Sequence, residues 1–205
     1  MDKKELLALL KGHGFPEEIL NAFEKVPRED FVPTEHKKLA YENIALPLEE
    51  EGATISQPYT IAIMLHLLEL EEGQKVLEIG SGSGYVLALL QEITRGAVYG
   101  VEIRKTMAEH AMQRLKGNEH IVVVNQDGQH GLQSYAPYDR IIISASQDTI
   151  PTHLYAQLKE DGILVAPIRA SIYQIKKLNG EILKKEIPYF SFVPLVKSGA
   201  VDYIG

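Results

Sequence analysis

The sequence predicts an α/β protein: a doubly wound, mostly parallel sheet preceded by a helical segment. Three observations carry that expectation. Apolar runs at 76–79, 97–101, 121–125, 140–144 and 163–167 are continuous rather than alternating, as in strands covered on both faces. Helix-favouring stretches, among them 105–116 and 151–158, lie between these runs, which suits parallel strands joined by crossovers. Glu78, Glu102, Asp127 and Ser144 all fall at the carboxyl ends of the runs, where open α/β sheets bind ligands.

Taken in order, the chain opens with Leu6, Leu7, Leu9 and Leu10 on a first amphipathic helix, stopped near Gly12 and Gly14. Pro16-Glu17-Glu18 starts a second, with Ile19, Leu20, Ala22 and Phe23 as its apolar side, and Pro27 ends it. The Val-Pro-Arg-Glu-Asp-Phe-Val-Pro run at 26–33 has to be an extended or turning linker. The first fifty residues show no strand alternation and read as a cap rather than part of the sheet. Taken alone, Ser56 ahead of Gln57-Pro58 reads first as the N-cap of a helix over 59–68, and second as a hydroxyl open to a substrate.

Strand, glycine loop and helix follow at Val76-Leu77-Glu78-Ile79-Gly80-Ser81-Gly82-Ser83-Gly84-Tyr85 and the apolar run 86–90. This geometry brings backbone N–H groups and a helix N-terminus up to a ligand. A phosphate-cradling P-loop would need a lysine that is absent here, and the dinucleotide fingerprint would put glycine at Tyr85. Two acids flank the loop. Glu102, about 20 residues past the glycines at the end of the next strand, is placed to accept hydrogen bonds from ribose hydroxyls.

A chain of 205 residues is one domain, or one with a small appendage; a 1–58 helical and loop segment before a 59–205 core is the division expected. A net charge of −7 argues against a nucleic-acid partner. The absence of cysteine excludes disulfides, thiol nucleophiles and thiolate zinc sites, and seven scattered histidines offer no metal-ligand cluster. The first residues are unlike a signal peptide, and the longest apolar run, 61–68, is too short to span a bilayer. A soluble, cytoplasmic protein without a membrane partner, acting as a monomer, is expected.

The Glu78-glycine-Glu102 pattern resembles the S-adenosylmethionine site of class I methyltransferases. More particular segments narrow the likeness: Val26-Pro27-Arg28-Glu29-Asp30-Phe31-Val32-Pro33, Ala40-Tyr41-Glu42-Asn43-Ile44-Ala45-Leu46-Pro47, Thr54-Ile55-Ser56-Gln57-Pro58-Tyr59, Pro137-Tyr138-Asp139 and Phe192-Val193-Pro194-Leu195. In that order, across most of the chain, they resemble the protein-L-isoaspartate O-methyltransferase family. The resemblance implies S-adenosylmethionine as cofactor, S-adenosylhomocysteine as product, and damaged proteins or peptides bearing isoaspartyl residues as substrate. By it, Glu78, Gly80, Ser81, Gly82, Ser83 and Gly84 would line the cofactor pocket, Glu102 would hold the ribose, and Asp127 and Gly128 would sit by the adenine. Ser56 would bind the isoaspartyl carboxylate, which reverses the preference for capping, while Ile55 and the backbone near Val193 would help hold the peptide.

The chain departs from the family pattern in places. Gln126 precedes Asp127-Gly128 where glycine is usual, putting a side chain at a close-approach position; Ser144-Ala145-Ser146-Gln147-Asp148 is more polar than the usual Thr-Ala-Ala. Glu49-Glu50-Glu51 stands where glycine-rich sequence is common and reads as a solvated loop; Arg169, in place of a glycine, faces solvent or clamps an anion. Two other readings stay open: a methyltransferase of another substrate class, such as tRNA adenine, and a non-catalytic relative that binds the cofactor.

Overall fold

In the computed structural model, which describes residues 1–49 and 52–195, the chain opens on α1 (Lys3–Gly12) and α2 (Glu17–Lys25). A capping box starts α1: the Glu5 N–H donates to the Asp2 carboxylate, and the Asp2 N–H donates to the Glu5 carboxylate. The buried face of α2 is Ile19, Leu20, Ala22 and Phe23, as the pattern predicts. The proline-flanked run that follows holds only a single 3₁₀ turn, Arg28–Asp30, in which Arg28 is fully buried.

A two-residue strand, β1 (Leu46–Pro47), pairs antiparallel with β2 (Thr54–Ile55) in a ladder separate from the main sheet. Strands this short leave no alternation to read. Helix α3 (Pro58–Leu68) follows, with Gln57 at the N-cap and no side-chain capping bond from it. The Tyr59 N–H donates instead to Asn43 Oδ1 at 3.0 Å. Ser56 therefore stands one residue outside the cap, and the capping role expected from the isolated sequence is corrected: Asn43, brought in by the fold, does that work.

The main sheet comprises β3 (Val76–Ile79), β4 (Val98–Glu102), β5 (Ile121–Asn125), β6 (Tyr138–Ile143), β7 (Leu158–Ile168), β8 (Ser171–Leu178) and β9 (Glu181–Pro188), in the order β5-β4-β3-β6-β7-β8-β9. Strands β3 to β7 are parallel, with α4 (Tyr85–Thr94) and α5 (Lys105–Arg114) as crossovers. The helix expected over 151–158 is a 3₁₀ turn, Thr152–Gln157, since Leu158 already begins β7 and leaves too little chain for α-helix. The antiparallel meander β7-β8-β9 was not foreseen.

Successive strand residues serve opposite faces of the sheet. Val76 and Ile142 pack with α3, α4 and the α1 residues Leu6 and Leu10, while Leu77, Ile79, Ile141 and Ile143 pack on the other face. Helix α3 is apolar nearly all round because it is covered on both sides, by the sheet and by α2. Its last carbonyls are closed from β6: Arg140 Nε donates to Leu68 O at 2.6 Å and Nη2 to Glu69 O at 2.9 Å. Among the described residues no helix is long and apolar enough to cross a membrane.

Candidate active site

The strand order turns back at β3, which has β4 on one side and β6 on the other, so a crevice opens at their carboxyl ends. Two predicted residues meet across it. Glu78, next to last on β3, lies opposite Ile142 of β6, and the Ser144 hydroxyl just past β6 donates to Glu78 Oε1 at 2.6 Å. Glu78 is 1% exposed, and its other oxygen, Oε2, is buried with no hydrogen-bond partner. Burial pushes this carboxyl up to about 8, against the pull of the Ser144 hydroxyl and with a further push from Glu102.

The loop after β3 turns through Gly80 at φ +79°, a conformation costly for any residue with a Cβ. Gly80 and Gly82 form one wall of a pocket whose other walls are Glu102, Gly128, Ala145 and Leu195. Ser81 and Ser83 turn with Glu78 into an adjoining cavity, closed by Ile55, Ser56 and Tyr85. The Ser81 hydroxyl is a second buried polar atom without a partner. Gly84 lines neither space; it faces Ala111 of α5 and Leu115 just past its end, so its smallness serves helix packing.

Glu102 is committed on both oxygens. The Gly82 N–H donates to Oε2 and the Arg104 N–H to Oε1, each at 2.9 Å. The carboxylate thus clamps the glycine loop to the end of β4, and one lone pair on each oxygen is left for a ligand. At the end of β5, Gly128 lines the pocket beside Ile79, so close that an added Cβ would stand 2.7 Å from Ile79 Cγ2. Asp127, next to Gly128 in the chain, is not among the residues that line this pocket; it starts the Gly128–His130 turn and accepts from the Gln129 N–H and Gln129 Nε2, both at 2.9 Å.

The last wall comes from far along the chain. Residues 193–195 lie against Ser146: its N–H donates to Val193 O and the Leu195 N–H donates to Ser146 O, both at 2.8 Å. Val193 lines the Gly80–Gly82 pocket and also an open cleft that it shares with Ala45, Thr54, Ser56 and Phe192. Ser56 is half-buried, borders both this cleft and the cavity holding Glu78, and its hydroxyl makes no hydrogen bond to the described residues. Ile55 is buried behind it, paired with Leu46.

A family model described as protein-L-isoaspartate(D-aspartate) O-methyltransferase matches residues 1–200. The chain belongs to this family. The protein-L-isoaspartate O-methyltransferase of Dictyoglomus turgidum is 42% identical over 200 residues, covering 94% of this chain and 90% of its own. That of Ignicoccus hospitalis is 41% identical over 207 residues, covering 95% and 97%. A solved protein-L-isoaspartate O-methyltransferase superposes with a TM-score of 0.87 at 29% identity, over 94% of this chain and 65% of its own. A structure from Plasmodium falciparum in complex with S-adenosyl-L-homocysteine shares the fold, with a TM-score of 0.83 at 23% identity over 96% and 99% of the two chains.

Of the positions where this chain departs from its family pattern, Glu49, Gln126, Ser146 and Arg169 line neither pocket, whereas Ser144 and Ala145 do. Gln126 is exposed and donates from Nε2 to Gly131 O at 3.2 Å, so its side chain does not intrude as expected. Ser146 donates to Arg169 O at 3.3 Å instead of facing the pocket. Arg169 is exposed in the β7–β8 turn at φ +53°, which accounts for a glycine being usual there. Glu49 pairs with Arg114 at 2.6 Å on the surface, while Glu50 and Glu51 lie outside the described residues. Asp139 of the Pro-Tyr-Asp segment accepts from the Lys75 N–H at 2.9 Å, tying β6 to the start of β3. Sequence reasoning missed Arg28, Asn43 and Tyr85, whose partners are all distant in the chain; a buried arginine in a proline-flanked run left no local signal.

Proposed function

We propose that the protein methylates the free carboxylate of L-isoaspartyl residues with Ser56 as the hydroxyl that holds it, Glu78, Glu102 and the 80–83 loop as the cofactor cradle, and Asp127 and Gly128 as its adenine side. The observation that carries this reading is a convergence. Ser56, whose hydroxyl makes no hydrogen bond to the described residues, lines the same cavity as Glu78, with its unpartnered oxygen, and the glycine loop. Two orphaned buried polar atoms, Glu78 Oε2 and Ser81 Oγ, are what a site built for a polar ligand leaves behind, and S-adenosylmethionine, with ammonium, ribose and adenine groups, fits such a set. When bound it supplies an electrophilic methyl group on a sulfonium and departs as S-adenosylhomocysteine.

The protein's own task is then positioning. An isoaspartyl carboxylate is ionised at neutral pH and needs no general base to become a nucleophile. Ser56 donates to it, Ile55 and the Val193 backbone fix the peptide, and the 193–195 wall keeps water from the reacting oxygen. Such alignment is worth up to about 7–11 kcal/mol. The methyl ester has a better leaving group than the carboxylate, so the next backbone nitrogen can close a succinimide that reopens to ordinary aspartate. In this reading residues 1–58 shape the substrate side and 59–205 the cofactor side, in a cytoplasmic monomer that acts on damaged proteins and on no nucleic acid; the charge of −7 supports the last point.

Tritiated methyl transfer to an isoaspartyl peptide, its aspartyl twin and bulk tRNA, run side by side, tests the reading. Label in the isoaspartyl peptide alone is expected. The ordinary aspartyl side chain is one methylene longer while its backbone is one shorter, so a site that pins both rejects it. Equal labelling of the twins would overturn the assignment, and labelled tRNA would put another substrate class in its place.

A further inference from the structure

Arg28 is fully buried yet has no part in the contacts above. Nη1 donates to Ser56 O at 2.9 Å and Nη2 to Ile44 O at 3.4 Å, while Nε is buried without a partner. The guanidinium lies 5.4 Å from the centre of the Tyr85 ring. Its hydrogen-bond partners are thus neutral carbonyls. Burial lowers its pKa to about 10, which leaves it charged at neutral pH. A buried cation without a counter-ion is costly, and an apolar side chain would fill the space at less cost.

The position of this charge suggests its use. Ser56 and Tyr85 line one cavity, and Arg28 contacts both. We propose that Arg28 is a positioning residue for methyl transfer: it pins the Ser56 peptide so that the Ser56 hydroxyl is held toward the substrate carboxylate. The inference rests on the Ser56 reading given above. Arg28 touches neither the cofactor loop nor the reacting atoms, and acts through Ser56.

Two substitutions and a double variant test it. Arg28→Met removes the charge and both donors, while Arg28→Lys keeps the charge without the planar fork. With an isoaspartyl peptide, folded Arg28→Met should lose about tenfold or more in kcat/KM, with S-adenosylhomocysteine affinity by calorimetry changed by less than about twofold. Arg28→Lys should recover part of the loss. If the effect passes through Ser56, Arg28→Met with Ser56→Ala falls no further than the worse single variant, whereas a merely structural role multiplies the two losses. Full kcat/KM in folded Arg28→Met, a parallel fall in S-adenosylhomocysteine affinity, or multiplied losses would each overturn the proposal. Full turnover by Ser56→Ala alone would remove the Ser56 reading and this inference with it; an impaired Ser56→Ala beside an active Arg28→Met would remove this inference only. Should Arg28→Met not fold, Arg28→Lys with and without Ser56→Ala decides by the same comparison.

Discussion

Replacing Glu78 by Gln removes a titrating proton from the middle of the site while keeping the side chain's shape and an oxygen for the Ser144 hydroxyl. In the folded protein, burial holds this carboxyl up at about 8, against an ordinary value of 4.5. Between those values the folded chain carries one more proton than the unfolded chain. The contribution to stability is therefore fully present below the ordinary value and is lost as pH rises through the folded one. The slope cannot exceed about 1.4 kcal/mol per pH unit, so from about pH 6 to about pH 7.5 this one group removes up to ~2 kcal/mol. Urea unfolding of the ligand-free protein at both pH values, for wild type and Glu78→Gln, reads the effect. Groups common to both proteins cancel in the comparison, and the variant is expected to lose most of the difference in midpoint. Parallel pH profiles in two folded proteins would refute the reasoning, since they would mean that Glu78 is already ionised in the native state.

Glu102→Ala should lower S-adenosylhomocysteine affinity in calorimetry by about tenfold or more, and should also lower stability, because two backbone donors are left unpaired at about 1–3 kcal/mol each. Ser56→Ala should leave thermal stability within about 0.5 kcal/mol, while kcat/KM for an isoaspartyl peptide falls tenfold or more, as loss of a charge-assisted bond of about 1.5–3 kcal/mol requires. Asn43→Ala should show a stability loss of about 1 kcal/mol in thermal melts, since Asn43 caps α3. Gly128→Ala should cost about 1–3 kcal/mol in urea unfolding, because its methyl group meets Ile79.

The parallel strands were legible because each lies between two packed layers, so no wet face interrupts its apolar run. The β9 strand was not: it is an edge on which Glu181, Lys184, Lys185 and Glu186 are exposed, and charges that keep an edge from pairing also erase the strand pattern. The meeting of Glu78, Glu102 and the glycine loop at one crevice could be read because its signal is local, a glycine loop between two acids at fixed spacing. Arg28 could not be read, since an arginine followed by Glu29 and Asp30 looks solvated and its burial depends on Ile44, Ser56 and Tyr85. The capping of α3 was misassigned for a related reason. Pro58 moved the helix start by one residue, and the donor to be capped found its acceptor 16 residues back, at Asn43.

Val193 lines both the Gly80–Gly82 pocket and the open cleft beside Ser56, the places proposed above for cofactor and peptide, and its segment is joined to Ser146 through main-chain hydrogen bonds. On the proposed reading, one strip of chain is therefore common property of two ligands. Whatever free energy the first ligand contributes to fixing that strip, the second no longer has to supply. Cofactor and peptide then bind as linked partners, each raising the other's affinity by the same factor. A titration of peptide into bare and S-adenosylhomocysteine-loaded protein, repeated with the roles exchanged, reads that factor twice and should return one number.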